Sequence, residues 1–148
     1  MRILVPMVTL ADDMATVRER LQAVVGSEKT LPPLGAMIET PAAALTVADI
    51  NLHSDFLSIG TNDLTQYTMA ASRENPLVND YFRQDHPAVL RLIRLIATEA
   101  GSVPVTICGE LARHVDALPA LLEMGIRNLS AAPPLVPGIK QDIRNNAL

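Results

Sequence analysis

The chain alternates short apolar runs with longer segments in which apolar residues recur every three or four positions. Each apolar run has the length and the residue types of a buried strand. We predict strands at Ile3–Val8, Leu34–Ile38, Asp55–Ile59, Val103–Ile107 and Asn128–Ala131. Strands that alternate with helices along a chain are typical of parallel sheets.

The segments between these runs carry the signals of amphipathic helices. Thr40 and Pro41 are the residue types of an N-cap and a first helical turn, and Gly26 and Gly101 are typical helix stops. We predict helices at Met14–Val25, after Thr40, at His86–Ala100, at Leu111–Met124 with a kink or break at Pro119, and at Pro137–Asn145. Thr61–Asp85 is predicted to be a long loop with some helix.

Five parallel strands joined by helices predict an α/β fold. Such units build either an open sheet or part of a (β/α)8 barrel. A complete barrel takes about 250 residues, whereas this chain has 148. We therefore expect a single domain over residues 1–148 whose size suits little more than half of a barrel.

Composition and charge exclude several classes of protein. Hydrophobic residues make up 49% of the chain and charged residues 19%, which indicates a folded domain rather than disorder. A net charge of −4 disfavours a nucleic-acid or anionic-membrane partner. No apolar stretch approaches the roughly 20 residues of a membrane span. Cys108 is the one cysteine, so no internal disulfide forms and a cytoplasmic location is expected.

Polar side chains follow the predicted strands at their carboxyl ends. Glu39 follows the second strand, Asn62 and Asp63 the third, Cys108 the fourth, and Ser130 lies at the end of the fifth. In parallel α/β folds this carboxyl edge of the sheet holds the active site, because the βα loops meet there. We therefore expect these residues to lie together.

The residue types at this edge allow more than one interpretation. Glu39 and Asp63 either bind a hard cation such as Mg²⁺, which takes one or two protein carboxylates, or cap the helices that follow them. Cys108 is either a reactive thiol or a small buried apolar residue. Arg73, in the loop beyond Asp63, has the chemistry of a phosphate ligand but also that of a solvated surface residue.

Three segments carry a resemblance to a known family. Ile38–Ala44 reads IETPAAA, Ser58–Thr68 reads SIGTNDLTQYT and Ile107–Ala112 reads ICGELA. In order and spacing these segments closely resemble the signatures of phosphoenolpyruvate-utilising enzymes. The residues around Tyr67 look most like those of Enzyme I of the phosphotransferase system. The resemblance spans essentially the whole chain. It implies that the chain is the second, C-terminal half of the family's TIM-type (β/α)8 barrel.

The resemblance also implies a role for each matching residue. Glu39 and Asp63 would bind the Mg²⁺ that bridges the carboxylate and phosphate of phosphoenolpyruvate. Asn62 and Asp63 would contact the substrate, Arg73 would hold its phosphoryl group, and Cys108 would protonate the enolate to give pyruvate. Arg113-His114, where relatives usually have glycine, and Ala131-Ala132 depart from the family pattern beside this site.

The implied reaction needs parts that lie outside this chain. In the family the phosphoryl group passes to a histidine in a separate N-terminal domain and then to the histidine phosphocarrier protein, and the barrel domain forms a homodimer. We therefore expect the chain alone not to complete the transfer. Two alternatives stay open: a Mg²⁺-dependent keto-acid aldolase or lyase barrel, and a non-catalytic dimerisation module.

Overall fold

One parallel sheet organises the part of the chain that the computed structural model describes, residues 1–26 and 29–146. Its strands are β1 (Ile3–Val5), β2 (Leu34–Ile38), β3 (Phe56–Gly60), β4 (Val105–Cys108) and β5 (Asn128–Ser130). They lie in the order β1-β2-β3-β4-β5, and every neighbouring pair is parallel. The prediction of five parallel strands is confirmed, and the spatial order follows the sequence without reversal.

The helices connect these strands as the sequence pattern indicated. They are α1 (Ala11–Val25), α2 (Pro41–Leu45), α3 (Val47–Asn51), α4 (Thr61–Met69), α5 (Pro87–Glu99), α6 (Leu118–Glu123) and α7 (Val136–Asn146). Short 3-10 turns lie at Asn79–Tyr81, Glu110–Arg113, Val115–Ala117 and Pro133–Leu135. The predicted cap of α2 is confirmed, because the Thr40 hydroxyl accepts the Ala43 N–H at 3.1 Å. None of the helices in residues 1–26 and 29–146 is long and apolar enough to cross a membrane.

The two faces of the sheet differ in how they are covered. One face packs against the helices and contributes the buried strand side chains Leu34, Ala36, Ile38, Leu57, Ile59 and Ile107. The other, which we call the open face, carries Met37, Phe56, Ser58, Thr106 and Cys108. Apart from buried Ser58, these side chains are half-buried. The core therefore lies between the sheet and the helices, on one side of the sheet.

The structure corrects the predicted ends of the first two elements. β1 stops at Val5 rather than Val8, because Pro6 has no N–H to donate and Met7 has a positive φ of 54°. α1 begins at Ala11 rather than Met14. Its early start has a clear cause, since the Asp13 carboxylate accepts the N–H groups of Thr9 and Leu10 at 3.0 and 2.8 Å and caps the first turn.

The predicted helix at Leu111–Met124 was wrong as a single element. The segment forms two 3-10 turns and then α6, which begins at Leu118. Pro119 lies in the first turn of α6, where its missing N–H is not needed. Proline therefore starts a short helix here instead of kinking a long one.

Candidate active site

Glu39 lies just beyond β2 and is almost fully buried, with 4% of its surface exposed. Its Oε1 accepts the backbone N–H of Met7 at 2.7 Å, and the positive φ of Met7 belongs to the turn that presents this N–H. Thr40, not Glu39, caps the helix that follows. The capping interpretation of Glu39 is therefore wrong, and its carboxylate is available at the carboxyl edge of the sheet.

Gly60 ends β3 directly beside this carboxylate. A Cβ atom at Gly60 would lie 2.5 Å from Oε2 of Glu39, closer than real side chains approach. The glycine at this position therefore has a physical reason: it leaves the space that the Glu39 carboxylate occupies.

Two hydrogen bonds join the start of α4 to the end of β4 and to the 3-10 turn that follows it. The Thr61 hydroxyl donates to the Cys108 carbonyl at 3.1 Å, and the Glu110 N–H donates to Asn62 Oδ1 at 3.1 Å. Gly109 lies between these bonds with φ of 103°. Because a backbone N–H can only donate, it fixes which half of the Asn62 amide is the oxygen. The amide nitrogen of Asn62 is the half left to donate to a ligand.

Gln84 is a site residue that sequence reasoning missed. It lies in the loop before α5, is 7% exposed, and its Nε2 donates to the same Asn62 Oδ1 at 2.9 Å. Its own Oε1 is buried without a hydrogen-bond partner among the described residues. Gln84 also lines a cavity of about 420 Å³. Its residue type and loop position gave no signal, since the contact exists only once the loop folds back over α4.

Cys108 ends β4 on the open face and is half-buried. Its Sγ accepts a hydrogen bond from the Ser58 hydroxyl at 3.2 Å and donates to the Ile59 carbonyl at 3.2 Å. Burial raises the pKa of the thiol, the Ser58 hydrogen bond lowers it, and the charges of Glu39 and Asp63 raise it again. The net shift is upward, so Cys108 holds its proton at neutral pH.

The negative charge of Asp63 acts on the carboxylate of Glu39. Burial raises the pKa of Glu39, the Met7 N–H lowers it, and the negative charge of Asp63 raises it further, for a net upward shift. A buried carboxylate whose ionised form is disfavoured by a neighbouring carboxylate fits a hard cation, which would remove that penalty. No cluster of three or more His, Cys, Asp and Glu side chains suited to a metal occurs among the described residues. Mg²⁺ needs only one or two protein carboxylates, because water and substrate oxygens complete its coordination.

The structure thus brings four of the five predicted site residues together and leaves the fifth apart. Glu39, Asn62, Asp63 and Cys108 meet at the carboxyl edge of the sheet, through the contacts and charges described above. Arg73 lies in the loop after α4 with an exposed side chain, and the described contacts do not join it to the other four. Its phosphate-binding role stays a prediction.

Comparison with known proteins identifies the family. The family model for the PEP-binding domain of PEP-utilising enzymes, where PEP is phosphoenolpyruvate, matches residues 1–148. A probable phosphoenolpyruvate synthase of Methanocaldococcus jannaschii is 40% identical over 132 residues, 87% of this chain and 11% of the relative. A phosphoenolpyruvate-protein phosphotransferase of Chlamydia trachomatis is 36% identical over 145 residues, 95% of this chain and 25% of the relative.

A phosphoenolpyruvate-protein phosphotransferase of Cupriavidus necator is 46% identical over 112 residues, which cover 74% of this chain and 19% of the relative. The chain therefore spans a quarter or less of the length of these three relatives. The family match, in contrast, extends over every residue of the chain. The chain belongs to the family of phosphoenolpyruvate-utilising enzymes, in the part described as their phosphoenolpyruvate-binding domain.

Proposed function

We propose that this chain binds phosphoenolpyruvate at the carboxyl edge of its sheet, as part of an enzyme that transfers the phosphoryl group to a histidine. The observation that carries the proposal is the meeting of Glu39, Asp63 and Cys108: the charge of Asp63 raises the pKa of Glu39, and the charges of both carboxylates raise the pKa of Cys108. Two acidic metal ligands and a protonated thiol are the groups that this reaction needs. Family membership supports the choice of substrate.

Cys108 serves as the acid that completes the reaction. When the phosphoryl group leaves, the bond between phosphorus and the enol oxygen breaks, and the remaining enolate needs a proton on its methylene carbon. The raised pKa of Cys108 keeps the proton on sulfur until that moment. Transfer of this proton gives pyruvate and a thiolate, which solvent then reprotonates; in the reverse direction the thiolate is the base.

Glu39 and Asp63 hold Mg²⁺ in this proposal. The ion would neutralise the negative charge of the substrate's carboxylate and phosphate groups. Met7 positions Glu39 through its N–H, and Gly60 leaves the room for its carboxylate. Asn62, oriented by Gln84 and Glu110, donates from its amide nitrogen to the substrate. Arg73 holds the phosphoryl group in this proposal.

The wider assembly is proposed on the same grounds. The sequential order of five parallel strands supports a (β/α)8 barrel, in which residues 1–148 form one domain and the second half of the barrel. The histidine acceptor would then lie in an N-terminal domain of the cytoplasmic enzyme. That domain would pass the phosphoryl group on to the histidine phosphocarrier protein. We propose a homodimer, and sedimentation velocity that shows only monomers at all concentrations would contradict it.

Calorimetric titration of phosphoenolpyruvate into the chain, with and without Mg²⁺, tests the substrate and the metal together. We expect binding heat that requires Mg²⁺ and is lost in Glu39→Gln, which keeps an oxygen for the Met7 N–H but loses the charge. Glu123→Gln is the matched control, because Glu123 is an exposed carboxylate on α6. Heat that is equal in wild type and Glu39→Gln would refute the metal role of Glu39.

The two alternatives predict different outcomes when keto-acid cleavage and self-association are measured beside this titration. An aldolase or lyase barrel would bind and cleave a keto acid in the presence of Mg²⁺ without any histidine acceptor. A dimerisation module would self-associate without binding phosphoenolpyruvate under any condition. Mg²⁺-dependent binding of phosphoenolpyruvate together with the absence of keto-acid cleavage would favour phosphotransfer over both.

A further inference from the structure

The loop between β1 and α1 is attached to the end of β2 by side-chain hydrogen bonds. The backbone ladder that joins the two strands ends at Val5. Beyond it, the Met7 N–H donates to the Glu39 carboxylate at 2.7 Å. The carbonyl of the next residue, Val8, accepts the hydroxyl proton of Thr40 at 3.3 Å. Two adjacent residues of the loop are thus bound to the two adjacent residues that follow β2.

The hydroxyl of Thr40 makes two buried hydrogen bonds with different consequences. It accepts the Ala43 N–H at 3.1 Å, and this bond caps α2. Because a backbone N–H can only donate, the proton of the hydroxyl is left for the Val8 carbonyl. Thr40 is 9% exposed and Val8 is 1% exposed, so the contact between them is shielded from water. Capping of α2 explains the first bond but not the second.

Met7 is the residue of this loop whose backbone needs support. Its φ of 54° is unfavourable for a residue with a Cβ atom, and such a conformation persists only where the surrounding structure holds it. The Asp13 carboxylate attaches the far side of the loop to α1. Directly after Met7, Thr40 attaches the loop to the end of β2 through Val8. The loop is therefore held from two sides.

We propose that Thr40 is a positioning residue: through Val8 it holds the turn at Met7, whose N–H fixes the Glu39 carboxylate. The inference rests on the proposed function for the use of that carboxylate, which is to bind Mg²⁺. Groups that orient a metal ligand without touching the metal typically change metal affinity or activity by about 10–100-fold when they are removed. The hydrogen bonds themselves do not depend on the identity of the metal or the substrate.

The NMR resonance of the Met7 amide proton tests the contact in the whole chain, in EDTA and without phosphoenolpyruvate. A hydrogen bond to a carboxylate moves an amide proton downfield, and Glu39→Ala, which removes the acceptor, gives the position without the bond. We expect Thr40→Val, which keeps the shape of threonine but lacks the hydroxyl, to move the resonance toward that position. Thr40→Ser keeps the hydroxyl and should leave the resonance near its wild-type position.

A further variant separates the bond to Val8 from the cap of α2. In Thr40→Asp the carboxylate can still accept the Ala43 N–H, since aspartate is a good N-cap residue, but it has no proton to donate to Val8. The Met7 resonance should therefore move as it does in Thr40→Val. A wild-type resonance in either variant, or an equal displacement in Thr40→Ser, would overturn the proposal.

Thr46→Val is the matched control for the loss of a threonine hydroxyl. The Thr46 hydroxyl lies at the other end of α2, where it donates to the Ala42 carbonyl at 3.0 Å. Its removal should leave the Met7 resonance in place. A displacement equal to that of Thr40→Val would show that any loosening of α2 disturbs the turn, and would overturn the specific role of Thr40.

Calorimetry then distinguishes this proposal from the proposed function. Thr40→Val should weaken the Mg²⁺-dependent binding of phosphoenolpyruvate by about tenfold, and Thr40→Ser should recover it. A displaced Met7 resonance with unchanged binding would overturn the positioning role. If the wild-type chain fails to bind phosphoenolpyruvate, a displaced resonance in Thr40→Val would reject the proposed function and still support the positioning of Glu39 by Thr40.

Discussion

Gly109→Ala tests whether the close contact between the ends of β3 and β4 holds the site together. The added Cβ would lie 2.5 Å from Thr61 Oγ1 and 3.2 Å from Asn62 Oδ1. These are the two side-chain atoms whose hydrogen bonds attach the start of α4 to β4. Alanine would also have to adopt the φ of 103° that glycine tolerates.

The expected cost has two parts. A non-glycine residue held at such a φ costs about 1–3 kcal/mol, and a methyl group forced into a filled space costs about 1–3 kcal/mol more. Gly125→Ala separates the two parts, since Gly125 has a φ of 86° and no atom within 4 Å of an added Cβ. The control should therefore lose the first amount, whereas Gly109→Ala should lose both.

Urea unfolding followed by circular dichroism measures the free energy of unfolding of each variant. We expect Gly109→Ala to be less stable than Gly125→Ala by about 1–3 kcal/mol, and to bind phosphoenolpyruvate more weakly because Asn62 is displaced. Gly125→Ala should bind like the wild type. If both variants lose the same stability, the proposed tight contact between Gly109 and the start of α4 is wrong.

Three further results are expected. Gly60→Ala, whose φ of −83° suits alanine, should weaken Mg²⁺-dependent binding by displacing Glu39, as calorimetry would show; unchanged binding would contradict the contact. Burial raises the pKa of Glu39 above its ordinary value of 4.5, so the free energy of unfolding, measured in EDTA, should fall as pH rises from that value through the folded pKa. Glu39→Gln should lack this loss, and urea-unfolding profiles that run parallel for the two proteins would refute the prediction. Gln84→Met removes one bond to Asn62 together with a buried unpaired oxygen, so stability should change by less than about 1 kcal/mol while binding weakens; equal binding would exclude a positioning role.

The parts of the fold that the sequence predicted well are those where local signals agree. β2 has the predicted bounds because all its residues are apolar or glycine, and Thr40 and Pro41 mark its end by starting a helix. β1 was predicted too long because Val8 is apolar and buried but lies beyond the turn at Met7. Apolar character indicates burial, and burial alone does not distinguish a strand from a packed turn.

The sequence predicted the site residues whose side chains follow strands. It did not predict the parts of the site that depend on backbone groups or on loop contacts. Glu39, Asp63 and Cys108 follow strands, so the rule that parallel strands present their carboxyl ends together was enough to group them. The backbone N–H of Met7 binds Glu39, and no side chain in the sequence indicates this contact. Gln84 contacts Asn62 from 22 residues further along the chain, which local sequence patterns do not predict. Ser58 did carry a signal, because a polar residue two positions before the strand-ending Gly60 must share the face of Cys108 once β3 and β4 pair.

The placement of the chemistry on the open face links the site to the architecture. Cys108 and Ser58 point away from the helix-covered core, toward the side where Met37, Phe56 and Thr106 remain half-buried. In the proposed function the thiol keeps its proton and the carboxylate pair attracts a cation, and both tasks are favoured when water is excluded. Closure of the strands into a barrel would turn the open face inward and bury these groups. In the proposed barrel, the step that completes the fold would thus also exclude water from the site, which would account for the proposed catalytic residues lying on an uncovered face of the sheet.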